Sequence, residues 1–372
     1  MKKIDKPLLF IAAGGTGGHI FPAQALADCI LKEGWRVKFL TDDRGAKYAN
    51  QFDEKVDVVT IPSSTFSGNN LIKKINAIFK LFLGTCSAIF YIIKNRPQVV
   101  AGFGGYPAFP TMLAATLFRV PLLIHEQNGV LGRVNQFFVR RSNIVACGVW
   151  PTKVPKDVEA IDCGNPVRQS IMKLKNSPYI PPGDYPVNIV ILGGSQGAKI
   201  LSDVVPTALS LLPDNIIKNL QVTHQARKED KSKVNDFYCN SRISANVQDF
   251  FSDIPKKINE SQLIISRAGA STIAEISMIG RPSILIPLKA AIRDEQTANA
   301  LPLVSANAAI LLTEDKLTAL KLRNIIHELI LNPKRSSEMA KSAHNNCKVD
   351  ATKKLTELVM SLADNKSLRS IS

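Results

Sequence analysis

Short apolar runs alternate with longer segments of helical period along most of this chain. Leu8–Ala13, Arg36–Leu40, Val56–Ile61, Gln98–Ala101, Leu122–Ile124 and Ile144–Ala146 predict strands. Phe21–Lys32, Pro107–Phe118 and Gly132–Arg141 predict helices between them. β-branched runs joined by helical crossovers point to a parallel sheet covered on both faces. The pattern pauses near residue 165 and through the proline-rich Asn176–Tyr185, then restarts. Val187–Leu192, Gln221–Ala226, Leu263–Ser266, Ser283–Pro287 and Ala309–Thr313 predict a second set of strands. Ala198–Leu212, Thr272–Ile279, Glu295–Ser305 and Lys316–Leu331 predict their helices. Polar helices follow at about Ser336–Cys347 and Ala351–Ala363. The chain thus divides into an α/β domain over residues 1–165, another over 166–345, and a helical extension over 346–372.

One stretch departs from the ordinary pattern. Leu71, Ile72, Ile75, Ile78, Phe79 and Phe82 fall in one arc of a helical wheel, with Lys73, Lys74 and Lys80 outside it. The following apolar run, Leu81–Ile93, has thirteen residues between Lys80 and Lys94. A bilayer span needs about 20, so no transmembrane helix is predicted. Two readings of the stripe stay open: a helix packed on a sheet, or a cationic amphipathic surface that docks on a membrane. At the N-terminus the apolar run is short and leads into a glycine loop, which predicts a first core strand and not a signal peptide.

Composition adds bounds. With 372 residues and 45% hydrophobic content, two globular domains are expected and wholesale disorder is excluded. The six cysteines are scattered and form no C-x-x-C pair, as in a reduced chain. The net charge of +16 is regional. From Val58 to Lys156 eleven basic residues, Arg140 among them, face a single acid, Glu126, and supply +10 of the total. Such an excess suits nucleic acid, an anionic membrane or acidic substrates. Basic residues interleaved with aromatics are missing, so nucleic acid is not expected.

Three glycine loops carry the chemistry: Gly14-Gly15-Thr16-Gly17-Gly18-His19, Gly102-Phe103-Gly104-Gly105-Tyr106-Pro107 and Gly193-Gly194-Ser195-Gln196-Gly197-Ala198. Each joins a predicted strand to a predicted helix. Glycine there lets a ligand approach the backbone, and the helix N-terminus favours phosphate. None is a P-loop or a dinucleotide fingerprint. Together, at strand ends in two halves, they suggest a phosphorylated ligand. In the second half Arg267-Ala268-Gly269-Ala270-Ser271 leads into a helix with Ser271 as the expected N-cap and Glu275 one turn in. That carboxylate suits either a ribose or the helix dipole. Gln296 and Asn299 share a helix face, where amides suit sugar hydroxyls or solvent. His125-Glu126-Gln127-Asn128-Gly129 is a polar cluster at the end of a strand.

GGTGGH, GFGGYPAFP, HEQNG, GNPVR, GGSQGA, RAGASTIAE and DEQTANALP occur in that order from Gly14 to Pro302. Together they resemble the MurG family of bacterial N-acetylglucosaminyltransferases, which make lipid II of peptidoglycan. The resemblance implies the α/β GT-B fold, two Rossmann-like domains facing across a cleft. It implies inverting transfer of N-acetylglucosamine from UDP-GlcNAc to the C4 hydroxyl of lipid I, the undecaprenyl-pyrophosphate-linked N-acetylmuramoyl-pentapeptide. It also implies a peripheral place on the cytoplasmic face of the inner membrane. Carried over by motif, Ser195, Gln196 and Arg168 fall near the donor diphosphate, with amides from Ala270–Ser271. Glu275 takes the ribose, the backbone near Phe251 the uracil, and Gln296, Asn299 and Asn128 the sugar. Thr16, Gly17 and Gly18 also border the donor. Gly15, Thr16, His19, Gly104, Gly105, Tyr106 and His125 line the acceptor. The expected docking surface is Ile75, Phe79, Phe82, Lys73, Lys74 and Arg140.

An inverting transfer needs a base for the acceptor hydroxyl and stabilisation of the departing diphosphate. No Asp-x-Asp is present, so neither a protein-held metal nor a cofactor is implied. His19 and Glu126 are the candidate bases, with His125 behind them; an ordinary histidine, titrating near about 6.5, suits the task. A UDP-GlcNAc 2-epimerase would share fold and donor but has no use for a basic apolar patch.

Overall fold

The computed structural model describes residues 6–15, 17–64, 71–194 and 197–364. It forms two compact units, one of residues 1–168 with 348–372, the other of 169–347. The first holds a seven-stranded parallel sheet: β1 (Leu8–Ala12), β2 (Arg36–Thr41), β3 (Val56–Thr60), β4 (Val99–Gly102), β5 (Leu122–Glu126), β6 (Ile144–Cys147) and β7 (Ala160–Asp162), in the order β3-β2-β1-β4-β5-β6-β7. The second holds six strands: β8 (Val187–Leu192), β9 (Leu220–Gln225), β10 (Ser244–Gln248), β11 (Leu263–Ser266), β12 (Ser283–Leu285) and β13 (Ala309–Leu311), in the order β10-β9-β8-β11-β12-β13. Both are doubly wound sheets whose first strand is central.

Strand β1 shows why the apolar runs fold this way. Every residue in it is buried. Leu9 and Ile11 face one core with Ile20, Leu26 and Ile30 of the helix Gly17–Lys32. Leu8, Phe10 and Ala12 face the other, with Ala88 and Ile92 of the helix Leu71–Asn95 and Met112 of the helix Ala108–Leu117. A strand with both faces covered needs no polar alternation, hence the unbroken runs. Its register pairs Leu9 with Val37 on one side and Val99 on the other.

The C-terminal segment is not a separate extension. Leu355, Leu358, Val359 and Leu362 of the helix Ala351–Ala363 are buried in the same core as Leu9 and Ile11. Lys348 pairs with the Asp162 carboxylate at 2.7 Å, and Lys354 donates to the Asp162 carbonyl. The first unit runs to residue 168, against the expected 165, and residues 348–372 return to it, the last helix burying its apolar stripe in that core. In the second unit Arg281 is the largest fully buried side chain. Its guanidinium donates to the carbonyls of Asn259, Ile279, Gly280 and Pro178 and so ties down the proline-rich stretch before β8. Burial lowers its pKa to about 10. The edge strands β7 and β10 and the helices Lys231–Asn240 and Ile254–Glu260 were not expected from the apolar pattern.

The helix Leu71–Asn95 bears on the first of the two readings of the stripe, a face packed on the sheet. It buries a face of Ala77, Leu81, Ala88 and Ile92. Gly84 lets it lie against the Pro62 carbonyl, where a Cβ would collide. Ile75, Ile78, Phe79, Phe82, Leu83, Phe90 and Ile93 point the other way, and Phe82 is 63% exposed. The predicted stripe is therefore not the face packed on the sheet. The helix is also longer than the thirteen-residue apolar run: residues Lys74–Asn95 are long and apolar enough to cross a membrane by length and composition. The side chains of residues 71–73, Lys73 among them, lie outside the described residues. Arg140 is exposed and holds Asp157 through a bidentate pair.

Truncating Leu358 to alanine should lower the first unit's stability by about 2–4 kcal/mol in urea unfolding, while Leu331→Ala, on an exposed site, should change it by less than about 0.5 kcal/mol.

Candidate functional site

In the first unit the chain's crossovers diverge between β1 and β4, and the first two glycine loops follow those strands. They interlock. Gly105, at φ 77°, places its backbone so that a Cβ would lie 2.7 Å from the Gly14 carbonyl oxygen and 3.5 Å from His19 Cδ2. His19 is half-buried in the first turn of the helix Gly17–Lys32, beside Gly18, with Gly15 opposite at the strand end. Thr16 lies outside the described residues. Phe21, one half-turn on, carries the Arg168 guanidinium 4.6 Å above its ring. Arg168 is the last residue of the first unit before the chain enters the second. Tyr106 Oη accepts from Arg133 Nη1 at 3.3 Å.

Strand β5 runs on through His125 and Glu126, two residues further than expected from its apolar residues. A buried hydrogen-bonded row starts there. His125 Nε2 meets the Gly164 carbonyl oxygen at 3.1 Å, and Gln127 Nε2 meets His125 Nδ1 at 3.0 Å. Gln127 Oε1 meets His19 Nδ1 at 2.7 Å. Gln127 belongs to the HEQNG motif, yet nothing in its type marked it for this role. Asn165 of the GNPVR motif holds it from the other side, donating to its carbonyl at 2.9 Å.

Glu126 has a different environment from His19. Its buried carboxylate takes the Asn128 amide and side chain on Oε1, at 3.0 and 3.1 Å. Gly132 N and Asn135 Nδ2 donate to Oε2, at 2.8 and 2.9 Å. Two donors on each oxygen fill the in-plane lone pairs. Glu126 therefore fixes the turn from β5 to the helix Arg133–Phe138, and Asn128 is bound into that turn with it. Asn135, not foreseen from the sequence, also stands 3.1 Å from the Cβ position of Gly104.

In the second unit the switch point lies between β8 and β11. Gly194 and Gly197 take left-handed backbone there; Ser195 and Gln196 between them lie outside the described residues. The helix Ala270–Ile279 begins after Gly269, so Gly269 is the N-cap and Ser271 stands inside the first turn. Glycine offers no side-chain oxygen, so the N-cap residue itself makes no capping bond. Glu275 is buried one turn in. The helix Glu295–Ser305 grips the loop before it. Gln296 Oε1 accepts from Ala268 N at 3.2 Å and from Leu288 N at 3.0 Å, while Asn299 Nδ2 donates to Ala268 O at 3.1 Å. The shared face of these amides is thus turned to one residue's backbone, and Asn299 is buried there. Arg267, also unforeseen, donates to the carbonyls of Ile286 and Pro287 and pairs with Glu314 at 2.6 Å. A cavity of about 240 Å3 lies alongside, lined by Pro287, Asp294, Thr297 and Glu314. Phe251 is buried just after β10, with Phe250 exposed beside it. Among the described residues no group of three or more His, Cys, Asp or Glu is placed to hold a metal ion.

Desolvation lowers the His125 pKa from 6.5 to about 4, with the bond to Gly164 opposing and nearby His19 assisting. As pH falls below about 6.5 an unfolded chain takes up this proton before the folded one does, so stability is lost from there down to about pH 4. The total is about 3 kcal/mol. His125→Gln should flatten this part of the profile in urea unfolding between pH 7 and 4.5; His224 of the second unit, lowered by burial to about 3, keeps its own contribution in both proteins.

Comparison with known proteins agrees with this geometry. The glycosyltransferase family 28 N-terminal domain matches residues 9–147, and the family's C-terminal domain matches residues 188–355. The UDP-N-acetylglucosamine–N-acetylmuramyl-(pentapeptide) pyrophosphoryl-undecaprenol N-acetylglucosamine transferase of Sinorhizobium fredii is 39% identical over 98% of both chains. The enzyme of the same name from Rhizobium meliloti is 39% identical, again over 98% of both. The crystal structure of Acinetobacter baumannii MurG superposes with a TM-score of 0.75 at 32% identity, covering 95% of this chain and 99% of that one. The chain belongs to glycosyltransferase family 28 and, within it, to the MurG N-acetylglucosaminyltransferases.

Proposed function

We infer that this enzyme moves N-acetylglucosamine from UDP-GlcNAc to the C4 hydroxyl of the muramoyl sugar of lipid I, with inversion at C1, giving lipid II. The observation that carries the reading is identity of 39% with transferases of that name over 98% of the chain. In the reaction the C4 oxygen attacks C1 and its proton passes to a base. The bond from C1 to the diphosphate oxygen breaks and its electron pair leaves with UDP. An epimerase reading leaves the exposed apolar face of the first unit without a use.

His19 is the base in this reading. It is half-buried between the first two glycine loops, and its Nδ1 is already engaged by Gln127. Glu126, with four donors on its carboxylate, supports the loop instead. The acceptor's pyrophosphate falls to the backbone around Gly15, Gly104 and Gly105, with Tyr106. The donor falls to the second unit. The helix N-terminus at Ala270–Ser271 suits its diphosphate, since first-turn N–H groups and the helix dipole favour an anion. Glu275 suits the ribose, and the backbone near Phe251 the uracil. Gln296 spends its oxygen on Ala268 and Leu288, and its amide N–H groups suit a sugar hydroxyl. Ser195 and Gln196 belong with the diphosphate by motif.

The enzyme docks on the cytoplasmic face of the inner membrane through the helix Leu71–Asn95. Its exposed apolar arc is flanked by exposed Lys74 and Lys94. The opposite face is buried in the first unit, which supports a peripheral rather than a spanning role. Arg140 contributes less than its charge suggests, because Asp157 neutralises it.

Incubation with labelled UDP-GlcNAc and a soluble lipid I analogue should place label in the lipid-linked product; label found only in UDP-linked or free sugar would refute the transfer. His19→Ala should cut kcat by about 10²–10⁴-fold and leave UDP affinity within about twofold. Replacing Lys74, Lys80 and Lys94 with Glu should reduce binding to phosphatidylglycerol vesicles by more than about tenfold, at about 1 kcal/mol per basic residue near the surface.

A further inference from the structure

The row that ends on His19 has a direction. The Gly164 carbonyl oxygen can only accept, so His125 Nε2 carries the proton that meets it at 3.1 Å. His125 is fully buried and neutral at neutral pH. Its Nδ1 is then bare and accepts from Gln127 Nε2 at 3.0 Å. The second hydrogen of that amide nitrogen goes to the His125 carbonyl oxygen at 2.9 Å. Both amide hydrogens are thus spent, which turns Gln127 Oε1 toward His19. An amide oxygen can only accept, so His19 Nδ1 must donate across the 2.7 Å contact. In neutral His19 the lone pair then sits on Nε2.

We propose that Gln127 is a positioning residue that holds His19 as its Nδ1–H tautomer, with His125 and the Gly164 carbonyl fixing which way the amide points. A neutral imidazole left to water favours the other tautomer, whose Nε2 is protonated and cannot take a proton. The row removes that loss before the acceptor arrives. Asn165 pins the Gln127 backbone, while the bonds to His125 Nδ1 and the His125 carbonyl hold the amide itself. The partner on Nδ1 is a neutral amide and not a carboxylate. The other charged groups around His19 are engaged elsewhere. Glu126 is tied to Asn128, Gly132 and Asn135, Arg168 lies over Phe21, and Arg133 is bonded to Tyr106 beyond Gly105.

The assignment rests on His19 as base for its catalytic meaning, but the tautomer can be read without turnover. Long-range proton–nitrogen NMR of the full chain labelled with 15N-histidine, with His19→Ala to identify the signal, should show His19 as Nδ1–H at pH 7.5. Gln127→Ala should convert it to Nε2–H and cut kcat by about 30-fold or more, with KM for UDP-GlcNAc and the affinity for UDP within about twofold. Gln127→Glu restores an acceptor on Nδ1. It should keep the Nδ1–H form, recover kcat to within about tenfold of the parent, and move the acid limb of the kcat profile up by about one pH unit. A parent signal of the Nε2–H form, or a Gln127→Ala enzyme with unchanged tautomer and kcat, overturns the proposal. Where Gln127→Ala does not fold, an unmoved acid limb in Gln127→Glu overturns it. Normal turnover by His19→Ala beside an Nδ1–H signal in the parent removes the base role alone and leaves the tautomer assignment standing.

Discussion

Parallel pairing of a central strand is the constraint on which the rest of each unit depends. Parallel neighbours cannot be joined by tight turns, so the connections cross a face of the sheet and nearly all carry a helix, the link from β6 to β7 being the exception. β1 and β8 pair on both edges with strands reached by opposite crossovers, and both faces are therefore covered. The loops leaving their C-terminal ends must diverge. Room opens there, lined by backbone amides at helix starts, without any residue having been chosen for it. The sequence then adds glycine where two such loops must touch, as at Gly105 against Gly14.

Room alone does not hold a reactive geometry, and the loops are fixed by buried polar groups rather than by packing. Glu126 gathers four donors from the nine residues that follow it. Arg267 collects two carbonyls and a carboxylate. Gln296 and Asn299 hold the N–H and the C=O of one alanine. Each arrangement satisfies backbone groups that a loop would otherwise leave buried and unpaired, a loss of about 1–3 kcal/mol apiece. This also explains why polar residues in the motifs divide into two kinds. Some bond to their own loops, as Asn299 does to Ala268 and Glu126 to the turn after β5. In the proposed reading others also serve a ligand, as His19 and Gln296 do.

That division was not legible in the sequence. Strands covered on both faces read plainly, because burial removes alternation, and the helix starts at Ala108 and Lys199 fall within one residue of those predicted behind their glycine loops. β7 and β10 did not, since they lie at sheet edges and are half-exposed, where Asp162, Ser244 and Gln248 are as suitable as valine. The Ser271 cap failed for a local reason: small residues at 268–271 leave the start of a helix free to slide by two positions. Motif spacing located His19, Glu126, Gln296 and Asn299 near strand ends. Which side chain faces its own backbone depends on residues far along the chain, such as Gly132 for Glu126 and Gly164 for His125. Arg168 shows the same limit from the other direction. Its partner is an aromatic ring almost 150 positions earlier, and no spacing rule couples them.

The charge excess takes its meaning from the same kind of detail. A long helix whose buried face is built of alanine, glycine and single large residues lies close to its sheet, and the close approach leaves its larger side chains nowhere to go but outward. Phe79, Phe82, Phe90 and Ile93 are therefore exposed as a consequence of how the opposite face packs, and Gly84 against Pro62 is the point that sets the distance. An apolar arc of that size on a water-soluble surface would favour self-association. Flanking lysines oppose it, since like charges on two copies repel, while the same lysines are drawn to a surface of opposite sign. In the proposed docking role, apolar arc and basic flank together would favour an anionic bilayer over a second copy of the chain, and neither would do so alone.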